Sequence, residues 1–196
     1  MRLPKLRLCV YCGSRPGANP AFMRTAQHMG SAIGRRGWQL VYGGGRVGMM
    51  GALADAALAA GAEVHGVIPQ SLMQREAGHT GLTRLQVVET MHERKHLMAE
   101  HTHAFVALPG GIGTFEELFE VWSWRHLGYH ERPVGLLDVG GYFQPLLSMV
   151  RQAERDGFVT AEQLAMVTLR ESPDALLDAI EDLVAPGTAS DDLRRI

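Results

Sequence analysis

Three short apolar runs in the sequence each end in a turn of small residues that leads into a helical pattern. The runs cover residues 7–11, 38–42 and 104–108, and the turns after them begin at Cys12, Gly43 and Pro109. Further short strand-like runs lie at residues 63–69, 85–89, 133–139 and 167–169. Strands that alternate with helices favour a doubly wound, mostly parallel sheet with helices on both faces. We therefore predict a Rossmann-like α/β fold.

The helical patterns have recognisable ends. Asn19 and Pro20 predict the N-cap and first turn of a helix that stops at Gly37. A second helix is predicted to follow the glycine turn at 43–51 and to end at Ala60, and others are predicted over residues 91–101, 114–127, 142–156 and 173–184, with a short helical piece carrying Glu76 within residues 70–82. The sequence shows no internal repeat or linker. We predict one domain over residues 1–196, with a frayed tail at 186–196.

The composition is that of a globular protein, since 46% of the 196 residues are hydrophobic and 20% are charged. The formal net charge is −2 and no long basic run appears, so a nucleic-acid polymer is not an expected partner. No apolar stretch reaches the ~20 residues that span a membrane. The start of the chain lacks the length and cleavage site of a secretory signal. We expect a cytoplasmic protein without a membrane partner.

Cys9 and Cys12 have the spacing of a redox motif but lie in the first predicted strand or at its end. In a thioredoxin-like site this spacing opens a helix. Residues three apart on a strand face opposite sides of the sheet. We interpret both residues as core or loop-edge thiols.

Glycines in the turn from Pro109 to Glu117 indicate a binding site for an anion. Gly110, Gly111 and Gly113 lie where a strand turns sharply into a helix. Glycine lets backbone N–H groups approach a ligand closely, and a helix N-terminus favours negative charge. Phosphate is the first candidate, and a tight turn without a ligand is the alternative.

A second glycine-rich turn follows the strand at residues 38–42. Its glycines include Gly44, Gly45, Gly48 and Gly51. The turn lacks the Gly-Lys-Ser/Thr of a P-loop and the strict spacing of a dinucleotide fingerprint. It therefore favours a nucleotide phosphate or sugar over NAD, with helix–sheet packing as the alternative. Because parallel strands end at one edge of a sheet, we expect the small-residue turns to converge on one ligand.

Arg94 and Lys95 lie in the first turn of a predicted helix at the same edge. Cations are disfavoured at a helix N-terminus, so the pair suggests an anionic ligand. Arginine can chelate a phosphate through two donors, whereas lysine acts as a point charge. A solvated, charged helix face is the alternative.

The same helix contains the pattern H-E-x-x-H at His92, Glu93 and His96. In zinc peptidases two such histidines bind the metal and the glutamate acts as base. The intervening Arg-Lys pair disfavours a dication, and a zinc site leaves the glycine turns unexplained. Solvated surface histidines are the simpler interpretation.

Glu116 and Glu117 lie in the first turn of the helix after Pro109. Thr114 and Glu117 fit a capping box, in which Glu117 would only accept the Thr114 N–H. The functional interpretation is a carboxylate that faces a sugar, where it could orient water or stabilise an oxocarbenium ion.

Together these motifs resemble the LONELY GUY family of cytokinin riboside 5′-monophosphate phosphoribohydrolases, often mislabelled lysine decarboxylases. The resemblance rests on the turns at 109–117 and 43–51, on Met91-His92-x-Arg94-Lys95 and on Cys12-Gly13-Ser14. It covers roughly residues 6–185. One departure is Arg15, where family members often have a second small residue.

The resemblance implies cleavage of the N-glycosidic bond of cytokinin riboside monophosphates, and often AMP, to free base and ribose 5-phosphate. It implies no metal, no other cofactor, and a homodimer with the site near the subunit interface. Arg94 and Glu117 would be the catalytic pair. The predicted substrate-binding residues are Gly13, Ser14, Gly44, Gly45, Gly48, Met50, Gly51, Glu76, Lys95, Gly110, Gly111, Gly113, Thr114, Glu116 and Ser123. A non-catalytic nucleotide carrier of the same fold is the main rival hypothesis.

Overall fold

The computed structural model of the protein describes residues 5–74 and 76–184. Its centre is one seven-stranded sheet, in which every pair of neighbouring strands is parallel. The strands are β1 (Arg7–Tyr11), β2 (Gln39–Tyr42), β3 (Val64–Pro69), β4 (Arg84–Val88), β5 (Ala104–Ala107), β6 (Val134–Leu137) and β7 (Val167–Arg170). Their order across the sheet is β4-β3-β2-β1-β5-β6-β7. This order confirms the predicted doubly wound fold.

Helices cover both faces of the sheet. They are α1 (Pro20–Arg35), α2 (Gly48–Ala59), α3 (Met91–Glu100), α4 (Ile112–His126), α5 (Gln144–Arg155), α6 (Ala161–Ala165) and α7 (Pro173–Leu183). Helices α1, α2 and α7 bury Met29, Leu53 and Leu177 in one core cluster, while α3 and α4 bury Met98 and Leu118 in the other. Strand side chains alternate between the two clusters because successive residues point to opposite faces.

Local sequence explains where several helices begin. The Asn19 side chain accepts the N–H of Ala21 at the start of α1, and Pro20 follows it. Thr90 and Glu93 form a complete capping box at the start of α3. Because α3 begins in this way, its fourth residue, Arg94, is held at the carboxyl edge of the sheet.

The structure differs from the sequence interpretation at three places. Helix α4 begins at Ile112 with Gly111 as its N-cap, so Thr114 is an interior residue and the predicted Thr114–Glu117 capping box does not form. Glu76 lies in a turn, because the short 3₁₀ helix in this region spans only Gln70–Leu72. Helix α6 was not predicted, since only five residues carry its pattern. The predicted frayed tail at 186–196 lies outside the described residues.

Strand order creates a crevice between β1 and β5. The chain runs outward from β1 to β4 and then returns to place β5 beside β1. In such sheets the loops after the two central strands diverge, which leaves room for a ligand at the carboxyl edge. Within the described part of the chain, no helix has the length and apolar character needed to cross a membrane.

Candidate active site

A cleft of about 780 Å³ opens at the carboxyl edge of the sheet, over β1 and β5. This volume lies within the range of small-molecule sites, ~300–1,000 Å³. The predicted residues that line it are Gly13, Ser14, Met50, Glu76, Arg94, Gly110, Gly111, Gly113, Thr114, Glu116 and Glu117. The turns after β1, β2 and β5 thus meet in space, as their positions in the sequence predict.

The amino end of α4 forms one wall of the cleft. The first three amides of the helix, those of Ile112 to Thr114, precede the first turn-closing bond, from Phe115 N–H to Gly111 C=O. Gly111 provides no side chain to cap them. A Cβ atom added at Gly111 or Gly113 would meet no protein atom within 4 Å. The turn that carries these donors therefore borders open space, which suits an anion at the start of the helix.

Neighbouring residues hold this turn in place. Gly13 N–H donates to Pro109 C=O at 3.1 Å, which ties the turn after β1 to the turn after β5. Tyr142 O–H donates to Gly110 C=O from the segment after β6. At Gly110 a Cβ would lie 2.1 Å from Thr114 Oγ1, so this position requires glycine for packing.

Arg94 and Glu117 lie together in the cleft. Nη2 of Arg94 is 3.8 Å from Oε1 of Glu117, and their side chains are only 7% and 11% exposed. Nη2 also donates to Gly43 C=O at 3.4 Å, while Nε of Arg94 is buried without an acceptor. Buried donors rarely lack a partner, so this guanidinium has capacity for a ligand.

Burial raises the pKa of Glu117 from its ordinary value of 4.5 to about 7. Desolvation is the main cause, because it disfavours the charged carboxylate. The positive charge of Arg94 lowers this pKa in part, and the nearby charges of Glu116 and Glu76 raise it. A carboxylate with a pKa near neutrality can exchange protons at physiological pH, as a general base must.

Glu76 reaches the cleft from the segment between β3 and β4. Its backbone C=O accepts the N–H of Arg46, which joins this segment to the turn after β2. The next residue, Ala77, has a φ of 46°, a left-handed conformation that costs a non-glycine residue energy. Oε2 of Glu76 is buried without a hydrogen-bond partner. It is a second polar atom in the cleft wall available to a ligand.

Four predicted glycines serve packing and do not line the cleft: Gly44, Gly45, Gly48 and Gly51. A Cβ at Gly48 would lie 2.5 Å from the backbone of Ser14, and one at Gly51 would lie 2.0 Å from Arg46 O. These contacts favour the packing alternative for most of the second glycine turn. Met50, from the same turn, does line the cleft.

Lys95 and Ser123 also lie outside the cleft wall of this chain. Lys95 Nζ donates to Glu116 at 2.6 Å and to Glu120 at 2.7 Å, so it links α3 to α4. Ser123 is exposed on α4, about 9 Å along the helix axis from Glu117.

One residue of the H-E-x-x-H pattern, Glu93, has a structural role. Glu93 accepts the backbone N–H groups of Glu89 and Thr90 in the capping box of α3, and His92 is exposed. Within residues 5–74 and 76–184, no three His, Cys, Asp or Glu side chains are grouped as metal ligands.

The two thiols pack in the interior. Cys9 and Cys12 belong to the core clusters on opposite faces of the sheet, as their spacing predicts. Burial raises the pKa of both thiols, which keeps them protonated.

Sequence reasoning missed the apolar and aromatic part of the cleft, formed by Phe22, Leu72, Met91, Ile112 and Tyr142. The rings of Phe22 and Tyr142 meet edge to face at 5.6 Å between centroids. Met91 was part of a sequence motif but had no assigned role, and Tyr142 had a usable signal because it follows two glycines just after a predicted strand.

Comparisons with known proteins show which family the chain is similar to. The family model described as possible lysine decarboxylase matches residues 50–180. A Rhodococcoides fascians protein named cytokinin riboside 5′-monophosphate phosphoribohydrolase is 49% identical, and the match covers 87% of this chain and 87% of that protein. A protein of the same activity name from Arabidopsis thaliana is 42% identical, over 91% of this chain and 84% of its own.

Solved structures with lower identity share the fold. The molybdenum cofactor binding protein of Rippkaea orientalis has a TM-score of 0.70 at 21% identity, covering 94% of this chain and 100% of its own. The molybdenum cofactor carrier protein of Chlamydomonas reinhardtii has a TM-score of 0.70 at 19% identity, covering 93% and 99%. At these identities the likeness concerns the architecture alone.

Proposed function

The chain belongs to the family of cytokinin riboside 5′-monophosphate phosphoribohydrolases, and we propose that its cleft hydrolyses the N-glycosidic bond of nucleoside 5′-monophosphates. The products are the free base and ribose 5-phosphate. The protein is thus an enzyme, a hydrolase. The observation that carries the proposal is the buried Arg94–Glu117 pair beside the open amino end of α4.

The phosphate of the substrate binds at the turn from Gly110 to Thr114 in this proposal. Three uncapped amides and the positive end of the α4 dipole favour a dianion there. The phosphate does not react. Its binding fixes the position of the ribose, so that part of the entropic cost of reaching the transition state is met before the reaction begins.

Glu117 acts as general base in the proposed mechanism. As the bond between C1′ and the base nitrogen breaks, its electron pair leaves with the base and C1′ gains oxocarbenium character. Glu117 accepts a proton from water, and the water oxygen forms the new bond to C1′. The departing base takes a proton from solvent, which balances the reaction. Arg94 orients Glu117 and contacts the phosphoribosyl group through its unpartnered Nε–H.

The apolar residues of the cleft form the proposed binding surface for the base. Phe22, Leu72, Met91 and Tyr142 provide apolar and aromatic surface, on which a purine ring can pack. We propose adenine and N⁶-substituted adenines as leaving groups, with AMP and cytokinin riboside monophosphates as substrates. Charged phosphate esters do not cross membranes unaided. We therefore propose that the protein acts in the cytoplasm, where such substrates are formed.

We also propose that the active form is a homodimer. One stripe of α4 carries Ile112, Glu116, Phe119 and Ser123, and Leu127 continues it. Ile112, Phe119 and Leu127 are 82%, 39% and 57% exposed, an apolar row that a second copy can cover. In a dimer formed through this stripe, Ser123 of one copy can approach the cleft of the other. Phe119→Glu should give monomers in sedimentation velocity, whereas dimers of unchanged affinity would contradict this interface.

A release assay tests the proposed function. Purified protein is incubated with AMP, isopentenyladenosine monophosphate, GMP, CMP and adenosine, and free base is measured by chromatography. Adenine or isopentenyladenine should be released from the first two substrates, and adenosine should react far more slowly because it lacks the phosphate. Tight AMP binding without release of adenine would instead favour a nucleotide carrier.

A further inference from the structure

Two arginines line the cleft, Arg94 and Arg15, and their situations differ. Arg94 lies beside Glu117 in the interior. Arg15 is exposed in the turn after β1, and its side chain makes no hydrogen bond or ion pair with any of the described residues. Lys95, on the neighbouring α3, is engaged by Glu116 and Glu120. Arg15 is therefore the cation of the cleft wall whose charge no described carboxylate offsets.

The backbone at Arg15 is fixed beside the turn proposed to bind phosphate. Gly13 N–H donates to Pro109 C=O, and Gly13 C=O accepts the N–H of Met50 at 3.3 Å. The start of α2 packs against Arg15, since a Cβ added at Gly48 would lie 2.5 Å from Arg15 N. A flexible guanidinium on this fixed backbone lies within the same cleft wall as Gly110, Gly111 and Gly113.

The charges of the residues that line the cleft also favour such a group. Three carboxylates, Glu76, Glu116 and Glu117, line the cleft together with the two arginines. A phosphate monoester carries a charge of about −1.5 to −2 at neutral pH, whereas a helix N-terminus offers roughly half a positive charge. When Glu117 is ionised, its negative charge offsets the positive charge of Arg94. Arg15 therefore lowers the excess of negative charge that the dianion would meet in the cleft wall.

We propose that Arg15 binds the 5′-phosphate from the solvent side of the cleft and makes the enzyme selective for phosphorylated substrates. This inference rests on the proposed function and adds a specificity-determining residue to it. A guanidinium can hold two phosphate oxygens while the α4 amides hold the third. Because the α4 amides still position the phosphate when Arg15 is removed, we expect the Arg15 contact to contribute equally to substrate and transition-state binding.

Steady-state kinetics of Arg15→Ala with AMP and adenosine tests the proposal. KM for AMP should rise about tenfold or more, because a hydrogen-bonded charge pair is lost, while kcat changes by less than about twofold. The kcat/KM for adenosine should be unchanged. Arg15→Lys should recover part of the affinity. Arg46→Ala is the matched control, since Arg46 is an exposed arginine in the adjacent turn that does not line the cleft.

Two results would overturn the role of Arg15. One is an unchanged KM for AMP in Arg15→Ala, and the other is an equal loss with AMP and adenosine. Calorimetric titration of AMP into Glu117→Gln and into Glu117→Gln/Arg15→Ala separates this inference from the proposed function. If the wild type releases no base, the proposed function fails, and the difference in AMP affinity between these two variants still decides whether Arg15 binds the phosphate.

Discussion

Nη2 of Arg94 lies 3.8 Å from Oε1 of Glu117, and both side chains are buried in the cleft. Arg94 is on α3, which follows β4, and Glu117 is on α4, which follows β5, so the pair joins two helices whose preceding strands are separated by three others in the sheet. Desolvation raises the pKa of the Glu117 carboxyl group, and the neighbouring guanidinium lowers it in part. Burial and the neighbouring guanidinium therefore together determine the pH at which Glu117 can act as a base.

The first prediction concerns the pH dependence of the reaction. The base must be ionised, so kcat should rise with pH through about 7, the pKa of Glu117, and reach a plateau above it. Glu117→Gln should lower kcat by ~10²–10⁴. Glu116→Gln should shift the midpoint to lower pH, because Glu116 raises the pKa of Glu117. A midpoint near 6 that Glu116→Gln leaves unmoved would instead report titration of the substrate phosphate.

The second prediction is that removal of the Arg94 charge shifts the profile of kcat against pH to higher pH. In Arg94→Met the carboxyl group of Glu117 loses the neighbour that lowers its pKa, so the midpoint should move above 7. Activity at pH 7 should fall by about 10²-fold or more, since the substrate contact is lost as well. Arg94→Lys should keep the midpoint near that of the wild type with intermediate activity. Full activity of Arg94→Met with an unchanged profile would exclude the proposed role.

The raised pKa of Glu117 also predicts how stability depends on pH. The folded pKa, about 7, exceeds the ordinary value of 4.5, so the folded state binds the proton more tightly. This contribution to stability is complete below pH 4.5 and is lost as pH rises through 7. Glu117→Gln should thus be more stable than the wild type at pH 8, by up to about 3 kcal/mol for a shift of this size, and should lose that advantage by about pH 4.5. Urea titrations at both pH values measure the difference, and an equal difference at both would contradict the assignment.

Substitutions at Gly111 and Gly113 test whether a ligand occupies the open space beside these two residues. Gly111→Ala and Gly113→Ala add a methyl group where no protein atom lies within 4 Å, so both variants should keep wild-type thermal stability. Their KM for AMP should nevertheless rise about tenfold or more if a phosphate occupies that space. In contrast, Gly110→Ala should lower the melting temperature, because its Cβ would collide with Thr114. Unchanged AMP kinetics in Gly111→Ala and Gly113→Ala would argue against phosphate at the end of α4.

The fifth prediction concerns the H-E-x-x-H segment. Glutamine at position 93 can still accept the Glu89 and Thr90 N–H groups, so Glu93→Gln should retain activity and stability. Thr90→Ala removes the other half of the capping box and should cost about 1 kcal/mol. Chemical denaturation and the AMP assay measure both effects. Complete loss of AMP hydrolysis in Glu93→Gln, with the fold intact, would show that Glu93 does more than cap α3.

Much of the fold could be read from the sequence because its signals are local. Apolar runs, glycines and caps such as Asn19 marked the strands and most helices within a few residues. The prediction failed at Thr114, where the capping-box pattern was present but the chain already turns into a helix at Gly111. A capping motif describes a local option, and the close packing of Gly110 against Gly13 and Thr114 decides where the helix starts.

The sequence by itself determined the parallel sheet, the edge at which the turns collect and the chemical types available there. Periodicity and turn residues act over a few positions, so they can be read without a structure. Only the tertiary structure decided that Glu117 is buried beside Arg94, that Gly48 and Gly51 serve packing, that Lys95 is occupied by Glu116 and Glu120, and that Tyr142 supports Gly110. Each of these depends on desolvation or contact between residues far apart in the chain, and spacing along the sequence carries no information about either.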